Sequence, residues 1–217
     1  MTRIKICGIK EEAHALAAAE AGADFIGLVF APSPRRVTPT RVEKIVAALK
    51  KSRARTEVVG VFVNTPLGQV KNIADACHLD WVQLSGDEPW QYCRELDMPI
   101  IKAVRVSRHQ HPEPILTDLE YGARLLANRK YIFLLDAGAQ GRYGGTGRSF
   151  DWNLARPIAR KFTVLVAGGL NPTNVAEAIQ AISPWGVDVS TGVETKGIKD
   201  VAKIRKFIEA VKKTDVR

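Results

Sequence analysis

The chain has 217 residues, 46% of them hydrophobic, and a net charge of +9 from 32 Lys and Arg against 23 Asp and Glu, enough to bury one sizeable core, so a single domain over 1–217 is expected. No run approaches the roughly 18 apolar residues of a membrane span, and the basic residues are spread over candidate helix faces such as "KKSRARTE" and "KIRKFIEAVKK" without interleaved aromatics. Neither a membrane nor a nucleic acid is therefore an expected partner, although a basic surface would attract a small anionic substrate. Three cysteines, Cys7, Cys77 and Cys93, are an odd number without zinc-like spacing, and Arg3 and Lys5 interrupt any leader-like apolar run. A reducing cytoplasm is the expected compartment.

The first apolar run, "RIKICGI", alternates: Ile4 and Ile6 share one face of a strand, while Arg3, Lys5 and Cys7 share the other. Next comes "KEEAHALAAAEAG", where Ala and Leu recur at helical spacing and Gly22 supplies a stop. The same order then repeats through "DFIGLVF", "EVVGVFVN", "DWVQLSG", "PIIKAVRV", "YIFLLDA", "FTVLVAGG" and "GVDVSTGVE". Eight strand-and-helix units of about 27 residues demand a parallel sheet, and eight is the number that closes it into a (β/α)8 TIM barrel, here of minimal size. An open doubly wound sheet is the alternative, but the first turn, "CGIKEEA", lacks the G-x-G-x-x-G fingerprint.

In such barrels chemistry sits at the C-terminal strand ends. Three of those ends are glycine-rich: Gly144, Gly145, Thr146 and Gly147 after the sixth strand, Gly168 and Gly169 after the seventh, and Ser190, Thr191 and Gly192 after the eighth. Glycine lets backbone N–H groups approach an anion, so a phosphate is expected there. Asp136 closes "YIFLL", and Cys7 closes the first strand. Arg36 lies in the Pro-constrained "PSPRRVTP", suited to holding a guanidinium against a planar anion such as a carboxylate. His14, His78, His109 and His111 fall on helices or in a loop away from strand ends, so neither a histidine base nor a metal site is expected. Cys77 and Cys93 are read as filler within helices.

The motifs "KICGI", "GADFIGLVF", "SPRRV", "GVFVN", "LLDA", "GGTGRSFDW", "AGGLNPTNV" and "VDVSTGVE", in this order and nearly end to end, resemble the phosphoribosylanthranilate isomerase family of tryptophan biosynthesis. The resemblance implies an Amadori rearrangement of N-(5'-phosphoribosyl)anthranilate to 1-(2-carboxyphenylamino)-1-deoxyribulose 5-phosphate, the third step from chorismate. It implies Cys7 as general base, Asp136 as general acid, Arg36 on the anthranilate carboxylate and the three glycine-rich segments on the phosphate. It implies no cofactor and no metal, and a monomer or homodimer. One position departs from the pattern: "QLSG" puts Ser85 where the family usually has His, and no substrate contact is carried onto it. The related isomerase of histidine biosynthesis, which uses a carboxylate in the place of Cys7, and a non-enzymatic phosphometabolite-binding barrel remain the rivals.

Magnitudes constrain these roles. With ordinary pKa values about 3% of a Cys is thiolate and about 0.08% of an Asp is protonated at pH 7, so both are correct in about 2 of 100,000 molecules. That is roughly 6 kcal/mol of barrier. Burial behind an apolar strand would raise Asp136, and Lys5, about 6.6 Å deeper on the same strand face, would favour the Cys7 thiolate. An isolated buried ammonium is costly. Closure of the barrel brings the eighth strand beside the first, so Lys5 is expected to pair with Asp188.

Overall fold

The computed structural model describes residues 1–106, 110–137 and 152–216. Eight parallel strands close into one barrel in sequence order: β1 (Arg3–Cys7), β2 (Phe25–Val29), β3 (Glu57–Phe62), β4 (Trp81–Leu84), β5 (Ile100–Val106), β6 (Tyr131–Ala137), β7 (Val164–Val166) and β8 (Gly186–Val189). Eight helices follow the strands: α1 (Glu12–Ala21), α2 (Pro39–Ser52), α3 (Leu67–Ala76), α4 (Trp90–Arg94), α5 (Pro112–Leu125), α6 (Trp152–Lys161), α7 (Val175–Ile182) and α8 (Val201–Asp215). The (β/α)8 architecture expected from the alternation is the one observed. Among the described residues, no helix is long and apolar enough to cross a membrane.

The alternation in β1 has a direct structural meaning. Ile4 and Ile6 point outward into the main core between strands and helices, while Lys5 and Cys7 point into the barrel and are as buried as the isoleucines. A polar position in a closed parallel sheet is thus an interior position, not a solvated one. Lower in the barrel the inward side chains are apolar: Phe25, Val59, Trp81, Ile101, Ile132, Leu134, Leu165 and Ala167 form one cluster. Phe25 meets the Trp81 ring edge-on at 5.8 Å. This packed floor leaves chemistry only at the upper layer.

The outer layer follows from helical periodicity. In α2, Val42, Ile45, Val46 and Leu49 are the buried face, and Thr38 caps the helix by accepting from the Arg41 N–H ahead of Pro39 at the first turn. In α8, Ile204, Phe207, Ile208 and Val211 are buried, and Asp200 accepts from the Lys203 N–H. The two ends of the chain meet, because Asp215 accepts from both the Thr2 N–H and the Thr2 hydroxyl at 2.7 Å.

One element differs from the sequence reading. The run "GVDVSTGVE" does not continue as a single strand: β8 ends at Val189, a 3-10 turn covers Thr191–Val193, and a short hairpin follows, β9 (Glu194–Thr195) with β10 (Ile198–Lys199). Its apolar valines suit a buried strand up to the barrel rim, but beyond the rim no neighbouring strand remains to pair with. Ser190 already leaves the extended region, at φ −124° and ψ −80°.

Candidate active site

The titratable groups expected at the strand ends converge on the barrel mouth. Barrel closure sets Lys5 opposite Asp188 in the β1–β8 register, and the Lys5 Nζ donates to Asp188 Oδ1 at 2.8 Å. The pair is the one expected from strand facing. Lys5 is completely inaccessible to solvent, yet its pKa lies above the ordinary lysine value: burial alone would lower it, and the charge of Asp188, followed by the Cys7 sulfur, overcomes that.

Cys7 stands at the top of the same strand, and its register partner on β2 is Gly27. A Cβ on Gly27 would lie 2.8 Å from the Cys7 Sγ and 3.1 Å from the Lys5 Nζ. The missing side chain therefore makes the room in which thiol and ammonium meet. The Lys5 charge and hydrogen bond do pull the thiol down, as expected. Burial nonetheless has the largest influence, Asp188 reinforces it, and the net direction is upward from the ordinary value of 9.0. Lys5 thus favours the thiolate as expected, but the net result is corrected: burial outweighs the help that the ammonium gives, Asp188 offsets part of that help, and Lys5 only limits the rise.

Asp136 lies near the end of β6, with the same inward facing as Ile132 and Leu134 below it, and its register partner is Arg105 of β5. Three strand steps around the ring separate it from Cys7. Arg36 sits in the loop after β2. That loop folds back on its own strand through a Val29–Arg36 bridge and the Val37 N–H to Val29 carbonyl bond of 2.9 Å. The backbone is fixed while the guanidinium is exposed and has no hydrogen-bond or ion-pair partner among the described residues.

Of the three glycine-rich segments, Gly144, Gly145, Thr146 and Gly147 lie outside the described residues. The other two are adjacent. Gly168 and Gly169 take positive φ, 90° and 65°, and a Cβ on Gly192 would fall 1.9 Å from the Leu170 carbonyl oxygen. Only glycine lets the loop after β8 press so closely on the loop after β7. Asn174 donates to the Gly169 carbonyl at 3.0 Å, and its own carbonyl accepts from the Asn171 N–H at 2.8 Å. The first of these bonds turns the Gly169 carbonyl toward the Asn174 side chain.

On the far side of the mouth, Ser85 accepts a 2.9 Å bond from Nε2 of Gln83, a side chain whose Oε1 is buried with no partner among the described residues. Below it a buried ion pair, Lys102 to Glu88 at 2.9 Å, knits the loops after β3 and β4 to strand β5. Glu88 also accepts from the Asn64 and Gly86 N–H groups, and Lys102 donates to the Gly86 carbonyl. Sequence reading missed a further ionic group: Arg35 is bidentate on Glu194 at 2.7 and 2.8 Å, and Lys199 reaches the same carboxylate at 2.6 Å. No spacing links residues 35, 194 and 199, and only their loops' common place at the rim brings them together. Cys93 is buried within α4, while Cys77 is buried at the C-cap of α3, just past the helix that was expected to hold it. Among the described residues no cluster of three or more His, Cys, Asp or Glu has metal-binding geometry.

Comparison with known proteins agrees with the fold. The family model described as "N-(5'phosphoribosyl)anthranilate (PRA) isomerase" matches residues 4–210. An N-(5'-phosphoribosyl)anthranilate isomerase from Dehalococcoides mccartyi is 46% identical over 215 residues, covering 99% of this chain and 98% of that one. A crystal structure of phosphoribosyl anthranilate isomerase from Thermotoga maritima superposes with a TM-score of 0.83 at 39% identity, covering 98% of this chain and all of that one. Another, of a phosphoribosyl anthranilate isomerase in complex with reduced 1-(o-carboxyphenylamino)-1-deoxyribulose 5-phosphate, gives 0.79 at 37% identity over 98% of this chain and all of its own. With the family model and these relatives spanning nearly the whole chain, the chain belongs to the N-(5'-phosphoribosyl)anthranilate isomerase family.

Proposed function

We infer that the protein isomerises N-(5'-phosphoribosyl)anthranilate to 1-(2-carboxyphenylamino)-1-deoxyribulose 5-phosphate, and that Cys7 and Asp136 carry the two proton transfers. The observation that carries the activity is the family match over nearly the whole chain. The residue roles are supported by two groups of opposite task, an inward thiol on β1 and an inward carboxyl on β6, at the rim above an apolar floor. Protonation of the furanose ring oxygen by Asp136 opens the ring to a Schiff base. Cys7 then takes the C2' proton, and the resulting enolamine tautomerises to the ketose. The substrate's own nitrogen accepts the electron pair, so one acid and one base suffice.

Both ends of the substrate are anionic, and the site has a distinct device for each. The exposed Arg36 on its anchored loop suits the anthranilate carboxylate as a two-pronged donor. The phosphate suits backbone N–H groups of Gly145, Gly169 and Ser190 or Thr191 at the neighbouring loops, where partial charges are fixed and no lysine need be ordered. Arg36→Ala is expected to raise KM about ten- to a hundredfold by removing a charge-assisted contact. Gly145→Val should raise KM strongly with little loss of fold, because its side chain would occupy the anion's place. Steady-state kinetics check both, and an unchanged KM in either variant removes that residue from the site.

Turnover itself is tested by adding phosphoribosylanthranilate to the purified protein and following the loss of its fluorescence. A stable signal with the wild-type protein would refute the activity. The same assay separates this reading from the histidine-pathway isomerase and from a barrel that only binds phosphometabolites.

A further inference from the structure

We propose that Glu194 is a positioning residue that clamps the carboxylate-binding loop to the phosphate-binding loop, a proposal that rests on the two-anion reading of the site. The Glu194 side chain is only 6% exposed. Its two oxygens are occupied by cations from two different loops. Arg35, on the loop after β2, donates Nε to Oε1 and an NH2 to Oε2. Lys199, on β10, donates to Oε1 and also to the carbonyl and hydroxyl of Ser190, at 2.9 and 3.3 Å. The backbone of Glu194 is held in turn, since Lys203 Nζ donates to its carbonyl at 2.7 Å.

Each arm ends beside a residue of the site. Arg35 precedes Arg36, and its own N–H is bonded to the Ser33 hydroxyl, so fixing the Arg35 side chain fixes the turn that presents Arg36. Lys199 fixes Ser190, where the chain leaves β8 and enters the phosphate segment. The clamp also reaches the first strand. A Cβ on Gly8 would lie 2.4 Å from Arg35 Cδ and 3.2 Å from the Ser190 hydroxyl, so both arms close over the residue that follows Cys7.

One carboxylate between a partly buried guanidinium and a buried ammonium also sets the local charge. Burial opposes ionisation of Glu194, but the hydrogen bonds from Arg35 and Lys199 hold it below the usual carboxylate range, and burial pulls the Lys199 ammonium down. The carboxylate and the Arg35 guanidinium are both firmly charged, and without the carboxylate Arg35 and Lys199 would repel each other across the rim. Glu194 therefore orders two cationic loops that the substrate's anions would otherwise have to order on binding.

The test is Glu194→Gln beside Arg35→Gln, with steady-state kinetics and calorimetric titration of inorganic phosphate. Glu194→Gln is expected to raise KM about tenfold or more and to weaken phosphate binding, with kcat within about threefold of wild type. Arg35→Gln, which cuts one arm only, should raise KM while phosphate affinity stays unchanged. A Glu194→Gln protein with wild-type KM and phosphate affinity overturns the clamp, whatever its melting temperature. If that variant does not fold, an unchanged KM in Arg35→Gln overturns it. Absence of turnover in the wild type would refute the activity instead, and the phosphate titration would still decide the clamp.

Discussion

Cys7→Ala is expected to lose about a hundred- to ten-thousandfold in kcat, the usual cost of removing one positioned base, while its melting temperature stays close to that of wild type. A filler at that strand end would show the reverse, a stability loss with turnover nearly intact. Asp136→Asn should match it in kcat by removing the acid. Single-turnover and steady-state rates, with calorimetric melting of both variants, check the pair. Near-normal turnover in Cys7→Ala would make the thiol mere packing.

The direction of the Cys7 shift adds a pH dependence to this expectation. The active form needs a thiolate and a protonated carboxyl together, and a carboxyl ordinarily titrates below a thiol. Between the two pKa values the gain in thiolate offsets the loss of protonated acid, so kcat/KM is level. Above the thiol's pKa only the loss remains. Because burial raises Cys7 above 9.0, the alkaline fall in kcat/KM is expected to begin above about pH 9, and its midpoint belongs to the coupled pair. Stability carries the opposite sign. The unfolded thiol ionises near 8.5 while the folded one holds its proton, so the unfolded state binds fewer protons above that pH. Stability then falls from about pH 8.5 upward until the folded thiol titrates. Cys7→Ala lacks this loss, and urea unfolding at pH 8 and pH 10 should show a smaller difference in the variant than in wild type.

What the sequence made legible was whatever follows from period and from closure. Strand facing put Lys5 and Cys7 on one side, closure put β8 next to β1, and the two rules together located the Lys5–Asp188 pair without any side-chain coordinates. Three things were not legible. The net direction of the Cys7 shift depends first on the depth of burial and then on how far Asp188 offsets Lys5, neither of which facing alone can supply. The end of β8 depends on where neighbouring strands stop, which "GVDVSTGVE" does not encode locally. The Arg35–Glu194–Lys199 group is assembled by loops 159 residues apart in the chain, and a lone Glu in "GVE" gives no sign of it.

The Lys5–Asp188 pair separates stability from catalysis, and replacing it tests both. Lys5→Met alone strands the Asp188 carboxylate inside the barrel, where among the described residues Lys5 is the partner that offsets the cost of desolvation. A loss of about 3–5 kcal/mol is expected. Lys5→Met with Asp188→Leu removes both charges and fills the space with apolar atoms. Such exchanges of a buried pair are often neutral or stabilising, so denaturant unfolding should place the double variant within about 1 kcal/mol of wild type or above it. Its turnover should not recover. The Lys5 ammonium draws the thiol's pKa down against burial more than the Lys199 charge does, and without it Cys7 has less thiolate at every neutral pH. The midpoint of the alkaline limb should rise accordingly, and kcat/KM at pH 7 should stay at least about tenfold below wild type, one pKa unit of lost thiolate stabilisation. A double variant with wild-type stability and wild-type kcat/KM would show that Lys5 serves the fold alone. Stability regained with turnover still lost would instead show that the charge pair is kept in the barrel because the thiol above it needs the ammonium.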